Sequence, residues 1–125
     1  MRTVLRYRFS SIAAAAACRL APRDTRLRFA LAVALREAGR LGEATSVLEG
    51  VVKPDPQFAR AWYTLGLAYS AARRPDVALD ALARSESLDP CNPQAAYAEA
   101  IILAREHRTR EARVAVRRAL QIAPD

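Results

Sequence analysis

Prolines stand at positions 22, 56, 90 and 124 of this 125-residue chain, each 34 residues after the one before. On the same period fall Ala44, Ala78 and Ala112; then Ala32, Gly66 and Ala100; then Phe29, Tyr63 and Tyr97. Small residues and aromatics held in phase over three cycles mark a repeated supersecondary unit, one that buries its apolar face by stacking on its neighbours. Composition indicates the kind of unit. Hydrophobic residues make up 52% and come largely from Ala and Leu, and Val, Ile, Thr and aromatics nowhere alternate long enough to form a strand. The expectation is an all-α chain, a single domain by its length.

The central period carries the most detailed signature. Trp62, two residues, Leu65-Gly66, two residues, Tyr69, then Ala78, Leu82 and Pro90 follow the tetratricopeptide pattern, so residues 59–92 resemble one tetratricopeptide repeat. The flanking units are looser. Residues 25–58 place Leu31, Ala32, Leu35, Ala44, Leu48 and Pro56 at the signature positions, with Arg28 where Trp belongs. Residues 93–125 place Ala100, Leu103, Ala112, Val116, Ala119 and Pro124 there, with Ala96 and Glu99 replacing Trp and Leu. The resemblance implies an α-α superhelix of antiparallel helix pairs, a right-handed solenoid of about three repeats over residues 23–125.

A glycine inside the apolar run Ala61–Tyr69 costs about 1 kcal/mol of helix propensity relative to Ala. Close approach of a partner helix offsets that cost: Gly66 on the first helix and Ala78 on the second bring the axes to the short end of the roughly 8–10 Å packing range. Punctuation residues then set the helices at about 25–38, 42–52, 57–72, 75–88, 93–106 and 109–122. Asn92-Pro93 reads as an N-cap followed by the first helical residue, and Gly39 as a helix stop.

Residues 1–22 have two readings. The basic start Met1–Arg8, followed by Ile12–Ala17 and Cys18, has the outline of an export signal or a lipid-anchor site. Periodicity instead places residues 10–20 where the second helix of an incomplete preceding unit belongs, with Pro22 closing it. The second reading is preferred, because the apolar run is short and mostly Ala. It favours a cytoplasmic protein, with export or membrane anchoring as the alternative.

The resemblance also locates the surface that acts. In such stacks the first helix of each unit lines a concave groove, here expected to present Arg26, Phe29, Val33 and Arg36, then Arg60, Tyr63 and Leu67, then Tyr97 and Ile101. Apolar residues rimmed by arginine suit a protein or peptide partner with apolar anchors and some acid. A carboxylate clamp for chaperone C-termini is not expected, since Phe29, Val33, Thr64, Gln94 and Ala98 stand where it needs Lys, Asn and Arg.

Net charge is +7, with nineteen Arg and a single Lys. It is concentrated at the two ends, and the last helix pair holds Arg105, Arg108, Arg110, Arg113, Arg117 and Arg118. That patch either solvates a terminal repeat or contacts nucleic acid, anionic membrane or an acidic protein. The uncapped last repeat also offers a surface for self-association. Enzymatic chemistry has no support: His107 sits alone in a predicted turn, no glycine-rich phosphate loop exists, and Cys18 and Cys91 have no metal-ligand spacing. No cofactor or metal is expected.

Overall fold

The computed structural model describes residues 25–123, so the half-repeat or signal-like segment of residues 1–22 and Pro124 lie outside the described residues. Two compact units divide the chain at residues 56 and 57. In the first, α1 (Thr25–Glu37) packs antiparallel on α2 (Leu41–Val52), burying Ala32, Leu35, Ala44, Leu48, Val51 and Val52. The second holds α3 (Ala59–Ala71), α4 (Pro75–Leu88), α5 (Gln94–Arg105) and α6 (Thr109–Ile122). There α3 packs on α4, α5 on α6, and α5 also lies against α4. The described residues contain only helices, turns and short irregular links.

Each helix pair turns in the same way. Arg40, Arg74 and Arg108 donate their backbone N–H to the carbonyls of Leu35, Tyr69 and Leu103, five residues back, at 2.8–2.9 Å. Gly39, Arg73 and His107 bond the carbonyls three residues back at 3.0–3.1 Å. Both bonds together form a Schellman motif, which requires a left-handed residue just past the helix. Gly39 takes it at φ 80°, whereas Arg73 and His107 take it at 62° and 60° with side chains that oppose it. One period repeats that strain twice with no glycine to relieve it.

Helix starts follow from local chemistry. The Asn92 side-chain oxygen accepts the Gln94 N–H at 2.9 Å, as an N-cap should. Pro93 has helical torsions, φ −76° and ψ −11°, but its carbonyl accepts the first helical bond from Tyr97, so the helix counts from Gln94 rather than Pro93. The third helix begins at Ala59 and not at Gln57, because Phe58 supplies the carbonyl that Trp62 bonds.

The expected close crossing is present at Gly66. Gly66, Ala78 and Leu82 are all buried. A β-carbon on Gly66 would lie 2.7 Å from Leu82 Cγ, 2.9 Å from Leu82 Cδ2 and 3.3 Å from the Ala78 carbonyl oxygen. The same register positions, Ala32 and Ala44 in the first unit and Ala100 and Ala112 in the second, are buried as well. Ser85 Oγ, beside this seam, donates to the Ala59 carbonyl at 3.0 Å, which satisfies a hydroxyl that would otherwise be costly to bury.

Gly66→Ala is therefore expected to destabilise the fold by about 1–3 kcal/mol despite its better helix propensity. In chemical denaturation Leu82→Ala should cost less in the Gly66→Ala background than in the native one, and equal costs would contradict the contact. Arg73→Gly and His107→Gly should each stabilise by about 0.5–1 kcal/mol, read as a higher denaturation midpoint.

Candidate functional site

In the first unit, Arg26, Phe29, Val33 and Arg36 share one face of α1 at helical spacing. Arg26 is exposed and the other three are half-buried. The Arg36 Nε is buried without a hydrogen-bond partner.

In the second unit the predicted residues divide by environment. On α3, Arg60 is exposed, while Tyr63 and Leu67 pack against the cluster of Ala78, Leu82, Ala98 and Ile102. Ala98 and Ile102 of α5 thus sit in the seam that α3 and α4 form. One repeat later, Tyr97 and Ile101 occupy the registers of Tyr63 and Leu67 and are 39% and 55% exposed. Together with Ala112, Arg113, Val116 and Arg117 of α6 they line an open, mainly apolar groove of about 520 Å³. The two exposed apolar residues of the predicted set thus both lie on the last helix pair.

The six terminal arginines also separate. Arg108 binds Glu111 at 2.6 Å on the surface, which holds the Glu111 carboxyl below its ordinary range and raises the Arg108 guanidinium. Arg118 reaches 2.8 Å to Glu86 and 2.5 Å to Glu99, and its bond to Glu86 raises it in turn. Arg105, Arg110, Arg113 and Arg117 are exposed and, among the described residues, form no ion pair.

Glu99 was legible only as a departure from the repeat pattern. It occupies the register of the core residue Leu65 and is itself buried. Arg118 occupies the register of Arg84, which lies 4.8 Å over the Trp62 ring. The register of Trp62 holds Ala96 in the last repeat, so Arg118 has no indole to cover and bonds the carboxylates of α4 and α5 instead. Burial pushes Glu99 up to about 7, the nearby Glu86 carboxylate adds to the rise, and Arg118 opposes it. Glu86, on the face of α4, is thereby drawn into the seam between helix pairs.

No group of three or more His, Cys, Asp or Glu side chains among the described residues is placed to hold a metal. Cys91 is an exposed free thiol, and His107 lies exposed in the turn before α6. No helix among these residues is long and apolar enough to cross a membrane.

Because Glu99 in the folded chain holds its proton up to about 7, against an ordinary 4.5, the native state binds more protons than the unfolded one between those values. Its contribution to stability is complete below the unfolded value and is lost as pH rises through about 7. The melting temperature should therefore fall from about pH 5 to about pH 8, by the equivalent of roughly 1–3 kcal/mol. Glu99→Gln should flatten that profile, and an unchanged slope in this variant would show that other groups set it.

Tetratricopeptide repeat sequences match over residues 10–59, 46–90 and 63–125. No curated protein matches by sequence. Among solved structures, MamA from Desulfovibrio magneticus RS-1 superposes with a TM-score of 0.89 at 21% identity, over 97% of this chain and 68% of its own. YrrB, described as a tetratricopeptide protein with an unusual peptide-binding site, gives 0.88 at 21% identity, over 96% and 62%. The Yersinia enterocolitica type III secretion chaperone SycD, solved with a peptide of the translocator YopD, gives 0.77 at 19% identity, over 78% and 75%. At these identities the likeness is one of fold. With the buried small residues of its helix crossings and the recurring turns, it shows that the chain has an all-α tetratricopeptide solenoid fold and belongs to the tetratricopeptide repeat family.

Proposed function

We propose that this chain is a non-enzymatic protein-interaction module that holds a peptide or protein segment on the face formed by the first helices of its repeats. The observation that carries this reading is the exposure of Tyr97 and Ile101, at 39% and 55%, one helical turn apart on α5. Two large apolar side chains left exposed on a helix whose Ala95, Ala96, Ala98 and Ala100 are buried form a natural anchor point. Arginines supply the rim: Arg60 on α3, and Arg113 and Arg117 on α6, are exposed. Arg26, Phe29, Val33 and Arg36 hold the corresponding register on α1 of the first unit, and Tyr63 and Leu67 close the seam of the second.

The peptide-binding site of YrrB and the YopD peptide held by SycD support the use of this fold for peptide capture. The main competing use is contact of the basic α5–α6 surface with nucleic acid or anionic membrane. It draws on fewer charges than the sequence suggests, because Arg108 and Arg118 are already engaged by carboxylates.

Tyr97→Ser combined with Ile101→Ser is expected to reduce capture of the native partner by about ten-fold or more, with the helical circular dichroism signal and melting temperature nearly unchanged. Both side chains are exposed, so little packing is lost. Undiminished capture by the double variant would overturn the reading.

A further inference from the structure

The groove between α5 and α6 copies, one repeat on, a seam that is already filled. Between α3 and α4 the wall consists of Tyr63, Leu67, Ala78, Leu79 and Leu82, and the occupants are Ala98 and Ile102, four residues apart on α5. Adding 34 to each wall position gives Tyr97, Ile101, Ala112, Arg113 and Val116, all of which line the open groove. The wall keeps its aromatic, two of its three aliphatics and its small crossing residue. Two positions change character: Leu79 becomes Arg113, and Ala83 becomes Arg117.

Shape therefore asks for a helix with a small residue and a branched aliphatic four residues later, while the two arginines ask for acid on its flanks. Arg113 and Arg117 share one face of α6 and have no carboxylate partner among the described residues. A second copy of this chain answers poorly. Its first described helix, α1, has the repeat register needed but carries Arg26, Arg28 and Arg36 against Glu37 alone, so like charges would meet.

We propose that the α5–α6 groove takes one acidic amphipathic helix of a protein partner, seated as the first helix of a further repeat would sit, its small and aliphatic residues in the groove and its carboxylates on Arg113 and Arg117. This rests on the interaction-module reading above and names the kind of partner. Packing sets the register, and the two charge contacts discriminate among helices that share the apolar spacing. Val116 in place of Leu82 offers one methylene less of apolar contact than the internal seam does.

The test uses two stapled helical peptides of about three turns. Both present Ala and Ile at the spacing of Ala98 and Ile102; one is flanked by glutamates and the other by lysines. Fluorescence anisotropy with the full chain at about 0.15 M salt should show the glutamate probe binding at least ten-fold tighter than the lysine probe. Arg113→Glu with Arg117→Glu should reverse that preference, and Val116→Arg should abolish binding of either probe, the helical signal being retained in each case. Equal affinity of the two probes, or a preference that survives charge reversal, overturns the proposal. So does self-association of the native chain that Val116→Arg dissolves, which would assign the groove to a second copy. Capture of phosphatidylglycerol vesicles lost in the charge-reversed variant, without probe binding, would assign the arginines to lipid and overturn it too. Loss of partner capture in the Tyr97/Ile101 variant with no probe preference leaves the broader reading standing and removes this one.

Discussion

The fold depends on how near two helix axes can come. At Gly66 the room for one methyl group has already been taken by Leu82 and by the Ala78 carbonyl, so the α3–α4 contact is made of backbone and of side chains that reach across it. Alanine at positions 44, 78 and 112 serves the same geometry, and all three are buried. An interior built mostly of alanine gains little apolar area per residue; its stability comes from many short-range contacts at high packing density. That explains how a chain with only eight Phe, Trp and Tyr residues needs so few large side chains in its core: Leu48, Leu65, Leu82 and Val51 are the largest that are fully enclosed.

A fixed crossing requires a fixed turn. Residues 39, 73 and 107 hold the same left-handed conformation and the same pair of backbone bonds, although one is Gly, one Arg and one His. Tertiary packing of the helices thus outweighs a local preference at two of three turns, the expected order when local costs are near 1 kcal/mol and each helix interface contributes several times more. Arg40, Arg74 and Arg108 follow at the next position, where their carbonyls accept the N–H of the three crossing alanines. Turn and crossing are in this way joined by one hydrogen bond in every repeat.

Much of this was legible from spacing alone. The 34-residue period, the helix pairs and the purpose of Gly66 follow from which residue types recur in phase, because steric exclusion acts through the identity of the residue itself. The fate of charged residues was not legible in that way. Glu86 reads as a solvated helix-face carboxylate and Arg118 as one arginine of a basic patch, yet they meet from positions 32 residues apart and enclose Glu99 between them. Whether a charge is solvated or paired depends on what the neighbouring repeat presents, and the pattern of one helix does not contain that. Exposure within the groove set is similar. Tyr63 and Tyr97 share a register, yet α5 makes Tyr63 a seam residue while Tyr97 is exposed.

The departures of the last repeat from its pattern form one group when placed in register. Leu65 becomes Glu99, Trp62 becomes Ala96, Leu79 becomes Arg113 and Leu82 becomes Val116. Each exchange removes apolar bulk from the third unit, and two of them introduce charge. The pair of buried Glu99 and half-exposed Arg118 is a poor source of net stability, since desolvation offsets most of the attraction, but with Glu86 it ties α6 to both α4 and α5. The exposed pair of Arg113 and Arg117 does the reverse: it leaves the fold unconstrained and makes the outer wall selective. Charge on the inner side of the last repeat therefore joins α6 to α4 and α5, and in the proposed reading charge on its outer side selects the helix that the groove takes.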